Sequence, residues 1–293
     1  MKKLIPLLLC IALLAGCAAT YDGPTEEKSV IGTYTVTHYY SFFDWEEEHY
    51  TDRAEYSYDI YGNRVRLSEY RDDKLGSVTT CRYDENGNEI SRVEWDYTGL
   101  IPLPSHRREM TYDDQNRILT WVSKNGWGIE EGRSTYVYDD ANHTMTWSNS
   151  ESDRTIYYYD ENGLELRAVS TGVGGSYETI HEYDDRGNRI GWTSTKDGAN
   201  FGSYEARFDE QNRQIWGGQY DEYGNLVSQT TYVYDDEAHT KTIHRPDGWI
   251  RVEYCTPDGR PYLIEDFDEN GKLTMRQTYE YLHIQVPADR KEQ

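Results

Sequence analysis

The sequence has 293 residues, with 53 Asp and Glu against 30 Lys and Arg, a formal charge of −23 and 28 Tyr. So acidic a chain, with no cluster of Lys and Arg, lacks the basic surface that binding a phosphate backbone needs, so no nucleic-acid partner is expected. Beyond the first 17 residues no segment approaches the ~20 consecutive apolar residues of a membrane-crossing helix.

The chain opens with Lys2 and Lys3, followed by the apolar run LIPLLLCIALLA and then Leu14-Ala15-Gly16-Cys17. That run is too short to span a bilayer and has the form of a signal-peptide core. The four residues that end it resemble the lipobox of bacterial lipoproteins, in which the precursor is cut before the Cys and the thiol is acylated. The resemblance implies a signal peptide over 1–17, export from the cytoplasm, and attachment of the mature chain to a lipid bilayer through Cys17. No acid lies within it, so losing Lys2 and Lys3 takes the formal charge from −23 to −25.

Residues 18–29 are polar and contain Gly-Pro, the composition of a flexible tether. A single β domain is expected over 30–293. It begins with strands rich in β-branched and aromatic residues from Thr33 to Tyr40, then Phe42, Phe43 and Trp45, which serve to cover the end of the array. The acidic Glu46-Glu47-Glu48 reads as a turn or an edge.

From Tyr58 to Phe267 the chain rewrites one motif. Tyr or Phe followed by Asp occurs at 58, 83, 112, 138, 159, 183, 208, 220, 234 and 267, and the fourth residue after the aromatic is Gly or Asn in nine of the ten copies. Gly and Asn enter the left-handed region most readily, and Asp bonds to amides just ahead of it, so Asp-x-x-Gly reads as a type I turn with a left-handed exit. Asp59 and Gly62, Asp84 and Gly87, Asp160 and Gly163, and Asp184 and Gly187 are the clearest structural turn pairs. Looser turns lie between them, including those at Arg71, Lys124, Thr171, Lys196, Arg245 and Thr256. The alternation predicts an all-β fold: a continuous antiparallel meander of 18 to 20 strands in a curled or spiralling sheet. A five-bladed propeller is the alternative architecture.

With position 0 the motif aromatic, a four-residue loop pairs it with +5 and gathers −2, 0, +7 and +9 on one apolar face. Tyr138 then lies opposite His143, and Tyr136 opposite Met145.

Y-x-Y-D-x-x-G-N, as in YSYDIYGNR at Tyr56 and HEYDDRGNR at His181, resembles the RHS or YD repeat of bacterial surface and toxin-shell proteins and of animal teneurins. It covers roughly residues 50 to 280. The resemblance implies a sheet that spirals round on itself, and for some members carbohydrate binding or enclosure of a toxin. This chain has fewer repeats than those shells and no Asp-Pro-x-Gly core motif, so encapsulation is not expected.

Cys81 and Cys255 lie far apart in a chain of local pairings and are expected to be unpaired. No G-x-S-x-G, H-E-x-x-H or P-loop is present, and neither a cofactor nor a metal site is expected. His143 and His239 share one repeat position and read as turn residues. Trp121, Trp147 and Trp192 each fall nine residues after a motif Tyr. They read as part of an aromatic core, in which Trp147→Ala is worth ~3 to 5 kcal/mol, or as a sugar-stacking ladder on an open face. The expected function is a surface-exposed, lipid-anchored, non-enzymatic structural or interaction module meeting a cell-envelope or host partner. A carbohydrate-binding protein is the first alternative and a glycan hydrolase the second.

Overall fold

The computed structural model describes residues 25–41, 47–149 and 153–287; Cys17 and Phe42, Phe43, Trp45 and Glu46 lie outside the described residues. The chain forms β1 (Thr25–Ser41), β2 (Glu47–Tyr58), β3 (Arg64–Arg71), β4 (Lys74–Tyr83), β5 (Glu89–Asp96), β6 (Leu103–Tyr112) and β7 (Ile118–Asn125). There follow β8 (Glu130–Asp139), β9 (Thr144–Asn149), β10 (Asp153–Tyr159), β11 (Glu165–Gly172), β12 (Gly175–Tyr183) and β13 (Arg189–Lys196). The series ends with β14 (Ala199–Phe208), β15 (Gln214–Tyr220), β16 (Leu226–Asp235), β17 (Thr240–His244), β18 (Ile250–Cys255), β19 (Pro261–Phe267) and β20 (Leu273–Pro287). Each strand pairs antiparallel with the next, and β1 pairs with both β2 and β20, so the single sheet closes into a ring of 20 strands. An unbroken sheet excludes the bladed alternative. Residues 25–29, read with the tether, begin β1, and Glu47 and Glu48 belong to β2.

Among the described residues, the backbone of each strand comes close only to that of its two hydrogen-bonded neighbours. Ring contacts run along the sheet, between neighbouring strands as in Tyr34 with Tyr279, or across one intervening strand as in Tyr177 with Phe201. Barrels of 16 to 18 strands already leave an aqueous channel, so a ring of this size has room for a water-filled interior.

The motif turns have a three-residue loop. In the copy at Tyr83, the Gly87 N–H donates to the Asp84 carbonyl at 3.2 Å and the Asp84 N–H to the Asn88 carbonyl at 3.0 Å. This pairs Tyr83 with Glu89 at +6, a correction to the four-residue loop. A bulge follows at once, because Arg82 faces Ser91 at +8 and Cys81 faces Arg92 at +9. The bulge absorbs the residue that would otherwise send the two apolar sets to opposite faces. Position −2 lies opposite +9 in all ten copies.

Two copies reach the same pairing differently. Tyr138 faces Met145 rather than His143, and Tyr136 faces Trp147 rather than Met145, with no bulge. The left-handed residue there is His143 (φ 51°), not Asn142, and in the copy at Tyr234 it is His239 (φ 51°), not Ala238. One extra turn residue replaces the bulge, which accounts for the shared YDD-x-x-H-T pattern.

The closing seam uses the repeat register without a covalent turn. Tyr281 faces Ile31, Glu280 faces Thr33 and Tyr279 faces Tyr34, with Gly32 bulged out. These are the pairings of 0 with +6, −1 with +8 and −2 with +9. Several motif tyrosines also tie their hairpin to the one before it. The hydroxyls of Tyr83, Tyr112, Tyr183 and Tyr234 donate to the carbonyls of Arg64, Glu89, Glu165 and Gln214, at 2.8 to 3.0 Å. On either side of the seam, Tyr58 on β2 does the same to Ile31 on β1 at 2.7 Å, and Tyr281 on β20 to Pro261 on β19 at 2.8 Å.

Candidate functional site

The motif carboxylates are spent on their own turns. Asp184 Oδ1 accepts from the Arg186 and Asn188 N–H groups at 3.0 and 2.8 Å, and Oδ2 accepts from Asn188 Nδ2 at 2.8 Å. Asp59 and Asp84 are engaged in the same way, while Asp160 bonds Asn162 and Leu164. The Asn188 amide holds the Asp184 carboxyl below the usual carboxylate range, and the Leu164 N–H does so for Asp160. Gly62, Gly87, Gly163 and Gly187 all have positive φ. Turns on one rim are also joined: Asn88 donates to Asn116 at 2.9 Å, and Arg117 and Arg213 reach Asp140 and Asp236, each at 2.5 Å.

Among the described residues no group of three or more His, Cys, Asp or Glu is placed to hold a metal ion. Cys81 and Cys255 are both free, and burial pushes both thiols up.

Two hollows mark the sheet surface. One, of about 430 Å³ over β1 to β4, is lined by Asp52, Arg53, Glu69, Tyr70 and Arg71. Its charges are already matched: Arg71 Nε donates to Asp52 at 2.9 Å, the Arg53 guanidinium lies 4.1 Å from the Tyr70 ring centre, and Ser77 donates to Glu69 at 2.5 Å.

The other hollow, of about 560 Å³ over β13 to β15, is lined by Gly187, Asn188, Arg189, Trp192, Tyr204, Ala206, Phe208, Gln214 and Gln219. Trp192 faces Tyr204, which in turn faces Gln219, so the three form one cross-strand row on one face. The Trp192 and Tyr204 rings are within 14° of parallel with centres 6.3 Å apart, a spacing too wide for face-to-face contact. Gln214 Nε2 donates to the Tyr204 hydroxyl at 2.7 Å.

A glycine pair makes this possible. Every other −2/+9 pair holds at least one large side chain, as in Tyr136 with Trp147, but here Ala206 faces Gly217. A Cβ on Gly217 would collide with the Tyr204 hydroxyl, so only glycine lets that ring lean from β14 onto β15. On the other face, Gly218 leaves room for the Trp216 ring in the same way.

Of the three tryptophans singled out in the sequence, this hollow takes Trp192 alone. Trp121 lies under the Arg108 guanidinium at 5.3 Å, and Trp147 sits between Tyr136 and Thr155. All three are half-buried, not core residues. Sequence reading missed Tyr204, Gln214, Gln219 and Arg189. The signal that pointed to them was Gly217-Gly218 inside a strand, where glycine marks a close approach.

No protein-family model matches this chain, and no curated protein matches it. Among solved structures it is similar to TcdB2-TccC3 without its hypervariable C-terminal region, at 11% identity and a TM-score of 0.32 over 77% of this chain. The match spans 17% of that longer chain. It is also similar to a porin-like protein from Bacteroides uniformis, at 8% identity and a TM-score of 0.40 over 86% of this chain and 97% of that one. A porin-like protein from Bacteroides vulgatus is matched at 13% identity and a TM-score of 0.33, over 64% of this chain and 96% of that one. Likenesses this distant leave the function to the chain's own residues.

Proposed function

We propose that this chain is an exported lipoprotein, anchored through acylated Cys17, whose YD-repeat ring stands in water as a non-enzymatic structural or interaction module. The observation that carries the reading is that the strands bear charges on both faces. On β6, period two puts His106 and Arg108 on one face and Arg107 and Glu109 on the other. A strand sunk in a bilayer needs one continuous apolar face, and Arg or Lys at the midplane costs ~2 to 4 kcal/mol each. The ring is therefore not the membrane element, and the lipobox-like Leu14-Ala15-Gly16-Cys17 supplies one.

The non-enzymatic part rests on the motif carboxylates. Glycoside hydrolysis needs two carboxyl groups facing each other across a substrate. Here the turn Asp residues bond to their own loops, in nearly the same way from copy to copy. Growth of the producing cell with a labelled fatty acid tests the anchor. Wild type should carry the label and sediment with membranes, and Cys17→Ser should lose both. Label retained by Cys17→Ser, or never acquired by wild type, would remove the lipoprotein reading.

A further inference from the structure

The hollow over β13 to β15 has uncommitted polar groups at its edge. Gln219 is exposed and its side chain forms no hydrogen bond; Arg189 is exposed and in no ion pair. Other arginines, such as Arg53, Arg71, Arg92, Arg117 and Arg213, each hold a carboxylate, whereas Arg189 leaves its guanidinium open. No lining residue is acidic, although the chain carries 53 Asp and Glu. The Arg189 guanidinium is the one charged group in the lining.

We propose that this hollow binds the pyranose ring of a carboxylated sugar, with Trp192 and Tyr204 as the stacking surface, Arg189 taking the carboxylate and Gln219 the ring hydroxyls. Two nearly parallel aromatic rings offer an extended π surface to the C–H face of a pyranose. A planar amide both donates and accepts, as a hydroxyl requires. A guanidinium matches a carboxylate with two parallel N–H bonds. The volume lies within the roughly 300 to 1,000 Å³ of small-ligand sites. Tyr204 is fixed before the ligand arrives, by Gln214 at its hydroxyl and Gly217 beneath it, so little ordering cost remains at that ring. Anchoring and scaffolding do not require this site, so the two readings fail separately.

The test uses the mature, folded chain on a glycan array of uronate-containing, sialylated, neutral hexose and N-acetylhexosamine oligosaccharides. Affinities for the strongest probes then come from Trp fluorescence titration. Binding should favour the carboxylated probes, weaken about tenfold in Arg189→Gln and in Trp192→Ala, and stay unchanged in Trp121→Ala. Melting curves run alongside show which variants remain folded. If Trp192→Ala unfolds, the exposed changes Arg189→Gln and Gln219→Ala still decide. No binding by wild type, equal binding of neutral probes, or wild-type affinity in Arg189→Gln would overturn the proposal.

Discussion

At the scale of single residues, the fold depends on a left-handed position and a carboxylate in each turn. Gly163 has φ 83° with nothing near the place a Cβ would occupy, so Gly163→Val tests backbone conformation alone. It should cost ~1 to 2 kcal/mol, whereas Gly174→Val, equally open but without positive φ, should cost less. Denaturant melts of the two variants beside wild type measure this. The turn carboxylates add an acid limit. Asp160, Asp184 and Asp221 have folded pKa values held low by hydrogen bonds to the carboxylate, so their contribution is complete above the unfolded value of ~3.9. It is lost as the pH falls through the folded values. The melting temperature should hold to about pH 5 and drop below pH 4.

These turns were legible from the start, because Asp and Gly recur at fixed spacing and each has a local reason to be there. The loop length was not. A bulge changes pairing without changing period, and no residue type marks the bulged +7 position, which is Val65, Ile90, Leu119, Leu166 or Ile190 according to the copy.

At the scale of elements, the unit is a hairpin, tied in several copies to its predecessor by a tyrosine hydroxyl. Tyr112→Phe removes the bond to the Glu89 carbonyl and should destabilise by ~0.5 to 1.5 kcal/mol. Phe208 occupies the same position in its own copy and has no hydroxyl to give. Phe208→Tyr should reach the Arg189 carbonyl, the corresponding +6 group, and raise the melting temperature. An unchanged or lower value would show that the bond does not transfer between copies. Trp147→Ala, expected from a buried core to cost several kcal/mol, should cost only ~1, because Trp147 is half-buried and packs on its cross-strand neighbours Tyr136 and Thr155. The face on which these aromatics lie was legible from their +9 spacing. It hid the hollow at Trp192, because that site is made by small residues at Ala206 and Gly217, where the pattern falls silent.

At the scale of the molecule, burial within the ring raises many tyrosine pKa values, with Tyr34 and Tyr83 pushed up to about 12, first by burial. In the unfolded chain these two tyrosines ionise near pH 10, while the folded ring keeps them neutral. The stability these groups give is therefore whole below about pH 10 and lost as the pH rises towards 12. The last part of the rise in phenolate absorbance, towards pH 12, should coincide with loss of β-sheet circular dichroism. Closure was beyond the sequence reading for a physical reason. Strand β1 meets β20 across more than two hundred residues, and no turn signal joins them. Ile31-Gly32-Thr33-Tyr34 does read as positions +6 to +9 of a copy whose −2 and 0 are Tyr279 and Tyr281. Only the pairing itself reveals that match.

The ring is the central claim, and a designed crosslink tests it most directly. Thr35 faces Thr278 across the seam and Arg53 on its other side. Facing residues in an antiparallel pair have Cα atoms ~4.5 to 5.5 Å apart, within reach of a disulfide. Under mild oxidation, Thr35→Cys with Thr278→Cys should give a peptide-mapped disulfide as readily as Thr35→Cys with Arg53→Cys. A crosslink to position 53 but none to position 278 would mean that the sheet is an open spiral and the seam does not exist.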